Sequence, residues 1–593
     1  MRYVALIFLL TSMLAAAPAQ VGTHPTVHDV AAGIVQRLQE SLPEKELLSL
    51  TADQVRTYIT EEDWKVLGEK HLSFRVDAPV VVYVFRDSGD PAVVHWMPAR
   101  GFENTGLMVK SGGRPFEVWS KEFPAGVIGL GVPSIDGEVD HYFVGVAPRE
   151  AGTPVAVSEV TPSVHTVGTL EPGERFSVSW NTTTITEVPE GLRGMPILRG
   201  SPERRKAAVL TRVYQTTDYP ATATPDHVVL TWGGDPRTEQ SIQWRTSTAV
   251  GMGVVRYRAR GAEGWKEQRA ETKLLANHNT INDPRANWHT ARLAGLEPGS
   301  YYEYQVGTGA PEGWIAPATF ETAPDGVEPF SFVYLGDAQA GFEAWGELLR
   351  ACHRENPEAA FYVMAGDLVN RGNERADWDR FFENAGEVFR YRPLVPSIGN
   401  HEDQGDNGPW MYLELLDLPK NGPAHITPER VYSFTYGNVL VISLDANLDP
   451  AGQTEWLEEQ LANTDATWKF VTYHQPAYSS GESRDNPAVR DKWGALFDKY
   501  HVDLALQGHD HAYLRTYPMY NQQRVATPAE GTIYIVSTSG TKYYEQGDFD
   551  YTEIGFTNTN TYQVLDIQVD GDVLTYKARG TDGTVLDEFV IEK

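Results

Sequence analysis

The apolar positions along the chain change period twice. Val27, Val30, Ile34, Leu38 and Leu42 recur at helical spacing, and the stretch from Thr51 to Gly68 reads the same way. From about Leu72 short β-rich runs replace this pattern: LSFRV, VVVYVF, HYFVGVA and FSVSW, separated by Gly, Pro and Asp turns. They predict a sandwich-like domain ending near Ile197. A second β segment runs from about Ala223 to Ala323, with HVVLTW, SIQWRTS, VVRYRA and PATFETA between turn residues. After Pro324-Asp325-Gly326 strands alternate with helices. Phe330 to Leu335 reads as a strand, and Phe342 to Glu355 as a helix whose Trp345, Leu348, Leu349 and Cys352 share one face, which makes Cys352 a core residue. Further strands are predicted at 360–365, 393–398, 439–444, 468–473 and 502–506, with helices at 378–389, 454–461 and 488–500. This alternation predicts an α/β layered domain from about 328 to 593.

Three domains follow from this pattern: a helical and β-sandwich-like region at 21–205, a β-sandwich at 223–323 and the α/β unit. Within the second, Leu296 to Tyr304 resembles the tyrosine corner of fibronectin type III domains, in which a Tyr beside a strand turn ties back to backbone. The basic stretch from Arg199 to Ala207 reads as a linker. Residues 1–20 carry Arg2, an apolar run from Val4 to about Leu14 and a small-residue Ala17-Pro18-Ala19 site, the pattern of a removable export signal ending near residue 19. That run is shorter than the ~20 apolar residues of a membrane span. The expectation is a periplasmic or extracellular protein.

Charge and cysteine content narrow the chemistry. Of 593 residues, 50 are Lys or Arg and 80 are Asp or Glu, a formal net charge of -30. Such an acidic chain lacks the basic surface that nucleic-acid binding needs. The single cysteine excludes an internal disulfide framework and a cysteine-rich zinc site, so a metal must be held by His, Asp, Glu, Asn or Gln. A cysteine-poor, acidic, exported chain fits a bacterial source. Oligomeric state leaves no trace in the sequence.

The decisive pattern is where the polar residues fall. Asp337, Asp367, Asn400 with His401, His474, and His509 with His511 each lie just past the C-terminal end of a predicted strand, where open α/β sheets place their ligands. Successive groups are 30, 33, 74 and 35 residues apart, and each interval admits a crossover helix. Carboxylates, an amide and imidazoles converging on one edge suit two metal ions bridged by a carboxylate, with Fe, Zn or Mn as the metals. Asp367 is the natural bridge.

GD (336–337), GDLVN (366–370), GNHE (399–402), VTYH (471–474) and GHDH (508–511) resemble the ordered motifs of the calcineurin-like metallophosphoesterases. The preceding fibronectin-like segment makes the chain similar to their purple acid phosphatase branch. The resemblance runs from about Ala223 to the C-terminus. It implies one metal on Asp337, Asp367 and His511, and another on Asp367, Asn400, His474 and His509. It also implies His401 as the outer residue that stabilises the phosphoryl group and protonates the leaving alkoxide, Glu402 as its orienting partner, and a metal-bound hydroxide as nucleophile.

Two positions depart from the pattern. Purple acid phosphatases carry GDxxY, with an iron-binding tyrosinate, where this chain has Asn370; other members use DxH where this chain has Asp337-Ala338-Gln339. Gln339 and Asn370 are therefore candidate neutral oxygen donors, and the site is expected to be less biased towards iron(III). Arg484, Arg515 and Tyr513 are candidate substrate contacts, a buried Arg515 tying its loop to a carboxylate being the equal alternative, and Asn486 shares the Arg484 loop. His353 and His425 have no motif context and read as surface residues, while Trp410 is a candidate pocket wall or core residue. The expected function is a secreted phosphatase acting on small phosphate monoesters. A phosphodiesterase with the same metal site, or a non-catalytic envelope binding protein, are the alternatives.

Overall fold

A computed structural model describes residues 25–593, apart from 48, 91–92, 136–141, 151, 163–164, 178–183, 201–214, 278–279, 405–407, 483 and 568–570. The expected export signal and most of the 199–207 linker lie outside the described residues. No helix among the described residues is long and apolar enough to cross a membrane.

The N-terminal helix Val27–Ser41 begins at a reciprocal cap, in which the Thr26 hydroxyl accepts from the Asp29 N–H and the Asp29 carboxylate accepts from the Thr26 N–H. Its Val30, Ile34, Val35 and Leu38 pack with Leu47, Val55 and Leu67. Behind these helices stand a three-stranded and a seven-stranded sheet, the latter centred on Val80–Asp87. The hairpin Glu103–Ser111 with Arg114–Phe123 was not anticipated, because residues 103–108 are exposed and carry no apolar alternation. The predicted FSVSW strand falls largely on residues outside those described.

The next unit is a sandwich of two four-stranded antiparallel sheets between Asp226 and Glu321, closed over Leu230, Ile242, Trp244, Val255, Tyr304 and Phe320. The Tyr302 hydroxyl accepts from the Glu297 N–H at 2.9 Å, the backbone tie expected of a tyrosine corner.

From Phe330 the chain builds two facing sheets. The first has six strands, with Leu394–Pro396, Tyr362–Met364 and Phe330–Leu335 parallel and three antiparallel C-terminal strands beyond them. The second has seven, with Val439–Ser443, Trp468–Thr472, Leu504–Gln507 and Ile533–Val536 parallel at its centre. Side chains alternate between two cores. Val439, Val441, Phe470, Leu504 and Leu506 point towards the first sheet, whereas Leu440, Ile442, Val471 and Ala505 point to the helices Thr454–Ala462 and Ala495–Tyr500. Helix Phe342–Glu355 covers the opposite side through Trp345, Leu348, Leu349 and the buried Cys352. The result is the α/β/β/α layering that the alternation predicted, preceded by the β-rich N-terminal region and the sandwich.

Buried polar contacts lock the sandwich to this unit. Arg245 donates to Asp226 through Nε and Nη2 at 2.8 Å each and to Asp379 Oδ1 at 2.6 Å. Arg375, on the same helix as Asp379, donates to Asp283 at 2.6 Å. On the other side Asp417 accepts from Arg292 Nη2 at 2.7 Å and from the Ser241 hydroxyl at 2.6 Å. Breaking a buried charge network by removing one partner leaves the other unpaired. Arg245→Ala is expected to cost about 3–5 kcal/mol, read as a lower midpoint in denaturant titration. An unchanged midpoint would show that the network contributes nothing net.

Candidate metal centre

The strands Phe330–Leu335, Tyr362–Met364 and Leu394–Pro396 of the first sheet and Trp468–Thr472 and Leu504–Gln507 of the second end at the same edge. Their following loops carry Asp337, Asp367, Asn400, His474, and His509 with His511 to one place. Two groups form there, Asp337 with Asp367 and His511, and Asp367 with His474 and His509. Within each group one ligand atom per residue lies within 4.8 Å of the others, and Asp367 belongs to both.

The distances fit metal ligands. His509 Nδ1 and His474 Nε2 are 3.2 Å apart, and two nitrogens each about 2.1 Å from a common ion stand roughly 3.0–3.4 Å apart. His474 Nδ1 donates to the Ala365 carbonyl at 2.8 Å, which leaves Nε2 facing Asp367 Oδ2 at 3.0 Å. His511 Nε2 lies 3.5 Å from Asp337 Oδ2. Asp337 Oδ2 and Asn400 Oδ1 are buried without a hydrogen-bond partner, as unfilled ligand atoms would be. The residues present therefore fit a pair of metal ions. Gln339 presents Nε2 to Asp367 Oδ2 at 2.7 Å, and its buried Oε1 has no partner; turning the amide over exchanges the two atoms.

The loops are held in costly conformations. Asp367, His509 and His511 all have left-handed backbones, with φ of 50°, 74° and 47°. A Cβ on Gly508 would fall inside van der Waals contact of Asp337 Oδ1, and one on Gly399 would do the same to Asp367 Oδ1. Only glycine lets these loops approach so closely.

Charge in the site is strongly coupled. Burial raises the Asp337 carboxyl to about 7, with the nearby Asp367 carboxylate adding to the rise against the opposing pull of His474. Burial alone would also raise Asp367, but His474 and His401 hold it well below the usual carboxylate range. Burial opposes the charge on His474, yet Asp367 and Asp337 raise it to about 9. Burial, His474 and Arg484 push His509 well down, and burial with Lys542 lowers His511 to about 3. His474 thus takes the proton that balances Asp367, and a cation seated on its Nε2 displaces that proton.

The surrounding residues take different roles from those expected. His401 donates Nδ1–H to the Asn370 carbonyl at 2.6 Å, and its Nε2 stands 3.9 Å from Asp367 Oδ2. The expected partner Glu402 does not orient this ring. Its buried carboxylate accepts the N–H groups of Asp367 and Gly399 at 2.8 Å each and of Val369 at 3.1 Å, clamping two ligand loops together. The expectation that Arg515 and Tyr513 contact substrate is corrected. Arg515 Nε lies 2.6 Å from Asp587 Oδ2 and another of its nitrogens pairs with Glu553, while the buried Tyr513 hydroxyl donates to Asp587 at 2.7 Å. Arg484 does reach the site, where Nε donates to the buried Asp510 at 2.6 Å and Nη2 to the His509 carbonyl at 3.0 Å. Asn486 is buried and donates to the Pro476 carbonyl. His425 is exposed, His353 is half-buried against the Tyr362 hydroxyl, and Trp410 packs on the main core.

Two supports escaped the sequence reading. Asp510, between the histidines of GHDH, anchors Arg484 and the Ser480 N–H. The Ser537–Gly540 segment braces the first loop, since the Asp337 carbonyl accepts from Ser539 N–H at 3.0 Å and Gly540 N–H at 2.7 Å. Its only signal was a run of small polar residues after a strand.

Residues 330–513 match the calcineurin-like phosphoesterase family, and residues 225–322 match the purple acid phosphatase N-terminal domain. An uncharacterized protein of Mycobacterium tuberculosis is 30% identical over 335 residues, an alignment covering 49% of this chain and 62% of that protein. The Fe(3+)-Zn(2+) purple acid phosphatase 12 of Arabidopsis thaliana is 26% identical, over 50% of this chain and 66% of the relative. The chain thus spans just under two thirds of the length of either relative. Among solved structures, a purple acid phosphatase from yellow lupin (Lupinus luteus) seeds superposes with a TM-score of 0.56 at 17% identity, over 86% of this chain and 90% of its own.

Because Asp367 serves both groups, Asp367→Asn is expected to lower bound metal from two equivalents per chain to one or fewer, measured by elemental analysis after dialysis. Two equivalents retained in that variant would remove Asp367 from the bridge.

Proposed function

From a chain in which a purple acid phosphatase N-terminal domain precedes a calcineurin-like phosphoesterase domain, we propose an exported, dinuclear-metal phosphoric ester hydrolase acting on small phosphate monoesters. The observation that carries this reading is the sharing of Asp367 between two ligand groups, each completed by imidazole and, at Asp337 and Asn400, by a buried oxygen without a partner. Asp337, Asp367, Gln339 and His511 would hold one ion and Asp367, Asn400, His474 and His509 the other. When bound, the ions supply Lewis acidity to a phosphoryl oxygen and an acidified water as nucleophile, the attack needing no covalent enzyme intermediate.

The chain's own groups account for the rest. His401 is fixed by its Nδ1–H bond to the Asn370 carbonyl, so its Nε2 is turned towards the space beside Asp367. In its protonated form that nitrogen donates to the oxygen that gathers charge as the ester bond breaks. Glu402 keeps Asp367 and Gly399 in register and moves no proton itself. The position that carries an iron-binding Tyr in the purple enzymes is Asn370, so Zn or Mn suits the first site as well as Fe. The apolar segment at residues 4–14 supports export.

Removal of metal by a chelator is expected to abolish hydrolysis of paired mono- and diester substrates, and re-addition of metal to restore it. Full turnover in a metal-free sample would refute the reading. His401→Ala should slow alkyl phosphates about 10²-fold or more, and nitrophenyl phosphate much less, because a good leaving group needs little protonation. Metal content should stay at two equivalents, and equal slowing of both esters would exclude His401 as the acid. With iron loaded, the absence of a tyrosinate ligand predicts no strong visible charge-transfer band; a purple sample would show that another Tyr reaches the metal.

A further inference from the structure

Lys542 has no carboxylate partner among the described residues, in a chain with 80 acidic and 50 basic side chains. Its position is fixed by the metal-bearing loops. The preceding Thr541 hydroxyl donates to the Ala340 carbonyl, and Ser539 and Gly540 donate to the Asp337 carbonyl. Two residues on, the Tyr544 N–H donates to the His511 carbonyl at 3.2 Å, and the Tyr544 ring meets the His511 ring edge to face at 4.8 Å. The Lys542 ammonium lies 5.1 Å from the centre of that same Tyr544 ring, a cation–π distance. Arg484 sits 5.0 Å from the ring as well, but its charge is met by the buried Asp510. Tyr544 therefore holds two cations beside His511, and only one of them is neutralised.

We propose that Lys542 is the anchor for the second negative charge of a phosphate monoester, making it the residue that selects dianionic monoesters over singly charged diesters. This rests on the phosphoesterase reading of the site. The Lys542 ammonium stands on the ring that packs against His511, so ions held by that centre would repel it, and the cost would be recovered when an anion lies between. The metal ligands bring only two negative charges, Asp337 and Asp367, so the loaded site keeps a surplus of positive charge that a dianion balances better than a monoanion. A lysine meets phosphate as a mobile point charge, which suits an anchor that follows the phosphoryl group as it turns over.

The test uses the full-length, metal-loaded protein and inorganic phosphate as the binding probe, measured by calorimetry alongside kinetics on phenyl phosphate and a matched diester. Lys542→Ala is expected to weaken phosphate binding and raise the phenyl phosphate KM by about tenfold. The diester KM should move by less than about threefold, kcat should hold within about threefold, and metal content should not change. Lys542→Arg should restore most of the phosphate affinity, and added salt should shrink the difference between wild type and Lys542→Ala. Unchanged phosphate affinity in Lys542→Ala, no phosphate binding in the wild type, or equal KM losses for both esters would overturn the proposal. If phosphate binding depends on Lys542 while the wild type cleaves neither ester, the hydrolase reading fails and the anion anchor stands. If the wild type cleaves monoesters and Lys542→Ala is indistinguishable from it, the anchor fails alone.

Discussion

One buried carboxylate sets the constraints on the α/β unit. Asp367 belongs to both ligand groups, sits in a left-handed backbone conformation and is excluded from water, each of which is unfavourable by itself. The surrounding structure answers each cost separately. Oδ1 accepts the His401 N–H at 2.9 Å, and Oδ2 faces His474 Nε2 and Gln339 Nε2. The strained backbone is pinned by its own N–H on Glu402 and by its carbonyl, which accepts from the Ala338 and Gln339 N–H groups. Glu402 is itself a buried carboxylate, pushed up to about 8 by burial and by the neighbouring Asp367 charge. It persists there because three backbone N–H groups converge on it.

The sandwich reaches this carboxylate through a short mechanical chain. Arg245 and Thr217 hold Asp379 on the helix Arg375–Ala385. One residue earlier on that helix, the Trp378 indole donates to the Gly372 carbonyl at 2.8 Å, and the Gly372 N–H donates to the His401 carbonyl at 2.8 Å. Displacing the sandwich would thus release the loop that carries His401. These contacts make the sandwich a brace on the α/β unit and give the charged groups buried at their junction a structural role.

Legibility in the sequence followed locality. Four ligand loops were readable because a short strand ends in Gly followed by its polar residue, at 336–337, 366–367, 399–400 and 508–509, and His474 because it ends an apolar strand directly; the facing sheets were readable because their central strands alternate between two cores. The strands beyond Tyr513 were not read, although Val573–Arg579 does alternate buried Leu574, Tyr576 and Ala578 with half-buried polar residues; that the three C-terminal strands add antiparallel to the first sheet beside Phe330–Leu335 is a pairing across more than 200 residues. Glu402 and Asp510 were misread or missed, and Arg515 left open between two roles, for one reason. A charge is interpreted by its partner, and their partners are the backbone of Asp367, Asp587 and Arg484, up to 72 residues away in the chain. Gln339 and Asn370 could be flagged as departures from a familiar pattern, but what they do instead required coordinates.

Asn370 shows how such a departure is absorbed. A tyrosine there would bring a phenolate charge to the first metal, whereas here the residue contributes its backbone carbonyl to His401 Nδ1. The loop is used through its backbone, and the side chain brings no charge. Fewer anionic ligands leave bound ions more electrophilic and the pocket more positive. The consequence reaches beyond metal choice: a site poorer in its own negative charge gains more from an incoming anion, and the protein side chains that face that anion matter correspondingly more than they would around a fully neutralised centre.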